Sequence, residues 1–178
     1  MDGFRDDQFS GPMVGVHVRY SDRQVRLDAI VRRVDALIER EPGLRVFLAT
    51  DNRAVADRFE RRYREIVTTP HWYPEPGSHS HQSADCPDRL ENGVEALVDL
   101  FLLAECEYLV CDSASSFARV ATLLTSAPAT HISDVGPDAR LRRRLRNGAV
   151  RLAPELIGAR ERAAGLMQAT PKLPRRSP

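Results

Sequence analysis

The chain has 178 residues, 42% hydrophobic and 29% charged, with 10 Gly and 12 Pro. That is the profile of one globular domain, long enough to bury about 70% of the surface its unfolded form exposes, so no disulfide framework or metal is needed to hold it together. The net charge of +1 hides a split, because Ala139 to Pro178 holds ten Arg and one Lys against Glu155 and Glu161, so the residues before Ala139 are net acidic.

Met13 to Arg19 (MVGVHVR), valine-rich behind Gly11-Pro12, fits a buried strand. Arg26 to Arg40 then sets Leu27, Ile30, Val31, Val34, Leu37 and Ile38 on one helical face and stops at Pro42-Gly43. Arg45 to Thr50 is a second strand, followed by the turn pair Asp51-Asn52 and a charged helix from about Ala54 to Arg64. Ile66 to Thr68 is a short third strand, and the Pro- and His-rich run from Thr69 to Pro87 reads as an irregular loop. Asn92 to Ala104 is a largely buried helix and Tyr108 to Cys111 the next strand. Asp112 to Ser116 supplies cap-forming residues ahead of an apolar helix from Phe117 to Leu124, and Ala129 to Ile132 is expected as a final central strand. Beyond Gly136-Pro137 come the Arg-rich stretch, a strand at Ala149 to Leu152, a helix opening at Pro154 and a frayed tail from Thr170 to Pro178.

Strands alternating with helices predict an α/β domain, a doubly wound parallel sheet with helices on both faces. Ligands bind such sheets beyond the carboxyl ends of the strands, which here carry His17-Val18-Arg19, Thr50-Asp51 and Asp112 to Ser116. A guanidinium closing an apolar strand, as Arg19 does, calls for an anion; a phosphate and a fixed carboxylate, Asp22 or Asp51, both qualify. The serines before Phe117 either cradle a phosphate with the free N–H groups of the helix start or merely cap that helix. Asp99 interrupts an apolar helix face, so it either meets a donor such as a base edge or an arginine, or faces solvent.

Several classes fall away. There is no G-x-G-x-x-G after the first strand, no G-x-x-x-x-G-K-[ST], and no G-x-S-x-G around Ser113, Ser115 or Ser116. His71, His79, His81 and Cys86 share a loop but match no zinc spacing, so no metal is expected. Cys86, Cys106 and Cys111 are an odd number, two of them in apolar runs, and read as reduced thiols. Arg140 to Arg146 (RLRRRLR) has no aromatic residue near it to stack on bases and reads as a helix face, not a nucleic-acid site. With no leader-like N-terminus and no run of 18 or so apolar residues, no membrane span is expected and the expected location is the cytoplasm.

Three segments then carry something more specific: VGVHVRYSD (Val14 to Asp22), VFLATDN (Val46 to Asn52) and NGVEALVDLFLLAECEYLVCDSASSFARVATLL (Asn92 to Leu124), with HWYPEPG in the loop between. In this order and spacing they resemble the sugar-nucleotide motifs of α1,6-fucosyltransferases, nearest to the bacterial nodulation chitooligosaccharide fucosyltransferases. The resemblance spans about Val14 to Thr125 and implies the GDP-fucose-binding, Rossmann-like half of a metal-independent, inverting GT-B glycosyltransferase. It implies that Arg19 holds the donor β-phosphate, that His17 lies beside the nucleotide, that Asp51 supports the site and that Asp99 reads the guanine edge. Ser115, with Ser116 and Phe117, matches the turn that binds the diphosphate, and Asp22 is the nearest candidate for the general base.

The organisation expected on this basis is an N-terminal extension over residues 1–12, a GDP-sugar-binding domain over 13–135, a basic helical segment over 136–169 and a disordered tail over 170–178. Tyr20 stands where family members often carry a second arginine. The acceptor-side half of the family precedes the first motif, which here starts at residue 14. The expected partners are therefore GDP-fucose, a glycan or oligosaccharide acceptor and a separate acceptor-binding half. A non-catalytic nucleotide-binding or partner-binding module is the alternative.

Overall fold

The computed structural model describes residue 9 and residues 11–21, 25–74 and 85–136. Asp22, His79, His81, Arg140 to Arg146, the strand and helix expected beyond Gly136, the tail and most of the N-terminal extension lie outside the described residues.

Among the described residues, five strands, β1 (Met13–Val18), β2 (Arg45–Thr50), β3 (Ile66–Val67), β4 (Tyr108–Cys111) and β5 (Ile132–Asp134), form one parallel sheet in the order β3-β2-β1-β4-β5. Four helices make the crossovers: α1 (Leu27–Arg40), α2 (Arg53–Arg62), α3 (Arg89–Glu105) and α4 (Ser116–Leu124). The strand order reverses between β1 and β4, which makes that point the expected ligand crevice of a doubly wound sheet.

The two faces of the sheet have separate cores. Val14, Val16 and Val18 of β1 pack with Ile30, Val34 and Leu37 of α1 and Phe59 of α2. Met13 of β1 and Phe47 of β2 pack on the other side with Leu102 and Leu103 of α3 and Ala118 and Ala121 of α4. All six β1 residues are therefore buried, which is why the strand reads as a continuous apolar run instead of an alternation.

Local chemistry sets the boundaries. Gly43 takes φ +100° in the turn between α1 and β2, a conformation that costs glycine little. Asn52 caps α2 by accepting from the Val55 N–H at 3.1 Å. α3 begins at Arg89, three residues before the position its apolar periodicity gives, because Asp88 accepts the N–H groups of Leu90 and Glu91 at 2.9 and 3.0 Å. The last strand differs more. Ala129–His131 forms a 3-10 turn after Pro128, and the strand is Ile132–Asp134, at the edge of the sheet and not in its centre. The polar pair Ser133-Asp134 looks like a turn in sequence, yet Ser133 and Asp134 pair with Val110 and Cys111.

Candidate functional site

β1 delivers His17 to the α3/α4 side of the sheet. Its ring stacks on Phe117 of α4, with centroids 4.9 Å apart and planes 19° from parallel. Burial pulls the His17 pKa down; Asp51 opposes this and Arg19 adds to it, leaving a value of about 4. At neutral pH the ring therefore carries no charge and offers one N–H donor and one acceptor.

β2 delivers Thr50 and Asp51. The Thr50 hydroxyl donates to the Val18 carbonyl at 2.8 Å, locking the ends of the two strands together. Asp51 accepts the N–H of Tyr20 at 2.7 Å, the N–H of Ser21 at 3.2 Å and the Ser21 hydroxyl at 2.5 Å. Three donors on one carboxylate fix the turn that leaves Arg19, so Asp51 shapes the loop around the guanidinium.

Asp99 does not face solvent: it is 4% exposed. Oδ1 accepts from the Thr69 hydroxyl at 2.5 Å and Oδ2 lies 2.8 Å from Nε2 of His71. A carboxylate can only accept, so Nε2 carries the hydrogen. A carboxylate has about four lone-pair sites, so these two contacts leave capacity for a ligand.

These side chains meet. His17, Arg19, Asp51, Asp99 and Phe117 line one cleft of about 120 Å³ beyond the carboxyl ends of β1 and β2. Ser115 and Ser116 do not line it. Ser115 caps α4, accepting from the Ala118 N–H at 3.5 Å, and Ser116 is exposed in the first turn of that helix. The helix start reaches the cleft through Phe117. The turn before it is braced from β5: Asp134 accepts the Ser113 N–H at 3.1 Å, the Ser113 hydroxyl at 2.5 Å and the Gly136 N–H at 2.8 Å.

A larger groove of about 690 Å³ runs between α1 and β5 and gathers Arg26, Arg32 and Arg33. Two of these arginines are already engaged. Arg26 donates to the carbonyls of Val135 and Gly136, and Arg33 donates to the Ser133 hydroxyl at 2.7 Å. The smaller cleft holds the more varied chemistry, a cation, two carboxylates and a flat ring pair, and is the candidate site.

Sequence reasoning missed Thr69, His71, Trp72 and Asn92. His71, Trp72 and Asn92 line the cleft, and Thr69 supports Asp99 from behind. Two signals were available. His71 and Trp72 belong to HWYPEPG, and Asn92, Ala96 and Asp99 form a stripe at helical spacing on α3.

Of the cysteines, Cys106 and Cys111 are buried and Cys86 is half-buried, and none is paired. Burial pushes the Cys111 thiol up to about 12, which removes it as a nucleophile. Among the described residues, no helix is long and apolar enough to cross a membrane.

The family model for Nodulation protein Z (NodZ) matches residues 6–140. The chain belongs to the NodZ family. Nodulation protein Z of Sinorhizobium fredii (strain NBRC 101917 / NGR234) is 28% identical over an alignment of 159 positions that covers 79% of this chain and 48% of that protein. The crystal structure of NodZ alpha-1,6-fucosyltransferase soaked with GDP-fucose is similar at TM-score 0.51 and 31% identity, over 70% of this chain and 40% of its own. The same fucosyltransferase co-crystallized with GDP gives TM-score 0.51 at 27% identity, over 70% and 39% of the two chains. Fucosyltransferase NodZ from Bradyrhizobium gives 0.50 at 27%, over 70% and 40%. The present chain thus spans about half the length of its curated NodZ relative, and its sheet is a Rossmann-like half of the GT-B fold.

Proposed function

We propose that this chain is the donor-binding half of a fucosyltransferase-type glycosyltransferase. In this reading it binds GDP-fucose and, with an acceptor-binding half, transfers fucose to a glycan or oligosaccharide acceptor with inversion, in the cytoplasm. The observation that carries the reading is the meeting of His17, Arg19, Asp51, Asp99 and Phe117 in one cleft beside the strand-order reversal.

The chemistry follows from what each group offers. As the bond from the anomeric carbon to the phosphate breaks, charge builds on the departing GDP, and a fixed positive environment there lowers the barrier most. Arg19 supplies a charge that never leaves, and the N-terminal end of α4, which reaches the cleft through Phe117, adds the positive end of its helix dipole. Because arginine stays protonated it stabilises the leaving group and does not activate the acceptor hydroxyl. A base must come from elsewhere, and Asp22 is the nearest candidate along the chain. Asp99 presents acceptors to the N–H donors of a guanine edge, and the His17–Phe117 pair presents a flat surface next to them. The reading needs no metal, since arginine and the helix start carry the charge.

Thermal melts of the intact chain with GDP, GDP-fucose and UDP test it. A guanine nucleotide at 100 times its Kd adds about 2.7 kcal/mol. In a protein of this size that raises Tm by about 5–10 °C. UDP is expected to do much less, and Arg19→Ala or Asp99→Ala to abolish the shift. No shift with any guanine nucleotide overturns the reading. Stabilisation without sugar transfer, even with the acceptor half supplied, is the outcome expected of a nucleotide-binding module that does no chemistry.

A further inference from the structure

His71 takes no part in the reading above, yet its surroundings are unusual. It sits on the segment after β3, and α3 presents two carboxylates to it. Nε2 lies 2.8 Å from Oδ2 of Asp99 and Nδ1 lies 3.7 Å from Oε2 of Glu95. Glu95 and Asp99 are four residues apart on one helix face, the spacing at which like charges repel. Oε2 of Glu95 is buried and accepts no hydrogen bond among the described residues, so the imidazole is its compensating charge. The His71 side chain is only 9% exposed.

Resting on the reading of Asp99 as the group that meets the base, we infer that His71, as an imidazolium, is the positioning residue that holds Asp99 for guanine and so sets the preference for guanine over adenine nucleotides. The warrant is geometric. Only a protonated ring turns an N–H toward both carboxylates at once, a hydrogen bond to Asp99 at 2.8 Å and a longer charge contact to Glu95 at 3.7 Å, and the Thr69 hydroxyl pins the other Asp99 oxygen at 2.5 Å. Held this way, Asp99 keeps its remaining lone pairs toward the cleft. Guanine brings an N1–H and an exocyclic amine to them; adenine brings a lone pair at N1 and is repelled. Once His71 loses its proton, the repulsion between Glu95 and Asp99 is no longer balanced and the carboxylate is free to turn.

The titration direction agrees. Burial lowers the His71 pKa, but the hydrogen bond and charge of Asp99 and the charge of Glu95 outweigh it and raise the pKa overall. Burial pushes the Glu95 carboxyl above its usual value, while the charge of His71 and a backbone hydrogen bond from Trp72 oppose that rise. Tyr73, edge-on to the ring at 6.0 Å, is pushed above its usual value mainly by burial, and Arg53 of α2 lies over it. His17 of β1, Arg19 just after it and Asp51 after β2 line the same cleft, and burial brings the His17 pKa down to about 4.

The test is the ratio of ADP to GDP dissociation constants, measured by calorimetry on the intact chain between pH 5.5 and 8.5. Both nucleotides carry the same diphosphate, so phosphate and Arg19 effects cancel in the ratio. The ratio is expected to fall about tenfold as pH rises through the raised His71 pKa, the scale of one charge-assisted hydrogen bond. His71→Gln, which can donate to Asp99 but carries no charge, is expected to hold the high-pH ratio at every pH. A wild-type preference for GDP that is flat across this range, or a slope that survives in His71→Gln, overturns the role of His71 and leaves the reading of Asp99 standing. A wild-type protein that prefers neither nucleotide at any pH overturns the reading of Asp99 itself. Because a flat wild-type profile by itself overturns the role of His71, the inference stays falsifiable even if the variant fails to fold.

Discussion

His17 and His71 line the same cleft and answer pH in opposite directions. The folded His17 value of about 4 lies below its ordinary 6.5, so between those values the unfolded chain binds more protons and stability falls as pH drops. The loss between pH 7 and pH 5 is about 2 kcal/mol. Urea melts at the two pH values should show His17→Phe losing less stability on acidification than the wild type by about that amount. His71 works the other way, since its pKa is raised. Its contribution is complete below about 6.5 and fades as pH climbs through the raised value. Together they favour a native state near the ordinary histidine pKa. At this scale the sequence was only partly readable. His17, Arg19 and Asp99 stand out because a polar group in an apolar run demands a partner. The partner of Asp99 does not, since Thr69 and His71 lie 30 and 28 residues away along an irregular segment with no periodicity to read.

Between elements, β1 comes close to the end of α3 at Gly15. A Cβ there would stand 3.0 Å from Sγ of Cys106 and 3.1 Å from Cδ2 of Leu103, tighter than most packed contacts, so these side chains would have to give way by a few tenths of an ångström. Gly15→Ala is expected to cost about 1–3 kcal/mol in denaturant unfolding. Adding Cys106→Ala should make room for the new methyl, so the double variant should be more stable than the sum of the single losses predicts. Equal additive losses would show that the strand shifts as a whole. The helices and the first four strands were legible because each is a period of 3.6 or a short apolar run. β5 was misplaced because its pairing depends on Asp134, whose carboxylate serves the β4–α4 turn and the Gly136 N–H. Such a residue reads as loop chemistry until the neighbouring strand is known.

Across the whole molecule, the sheet divides the core into two groups of side chains that share few partners. Surface ion pairs such as Arg62–Asp35 add little beside this burial, about 0–1 kcal/mol each. Ile30→Val on the α1 side should cost about 0.5–1.5 kcal/mol and Leu102→Ala on the α3 side about 2–5 kcal/mol. If the sheet insulates one layer from the other, the double variant should lose the sum to within about 0.5 kcal/mol by urea titration. A larger discrepancy would mean that strain crosses the strands.

β1 lies at the centre of this division, and its six residues split their duties by parity. The even positions, Val14, Val16 and Val18, serve only the α1 layer. The odd positions serve the opposite side in three different ways: Met13 fills space, Gly15 yields it, and His17 opens onto the cleft. Selection on foldedness and selection on ligand binding therefore act on alternate letters of one short word. The even letters can drift among β-branched residues of similar volume without touching the cleft, whereas the last odd letter can change the chemistry of the cleft while leaving the α1 layer intact.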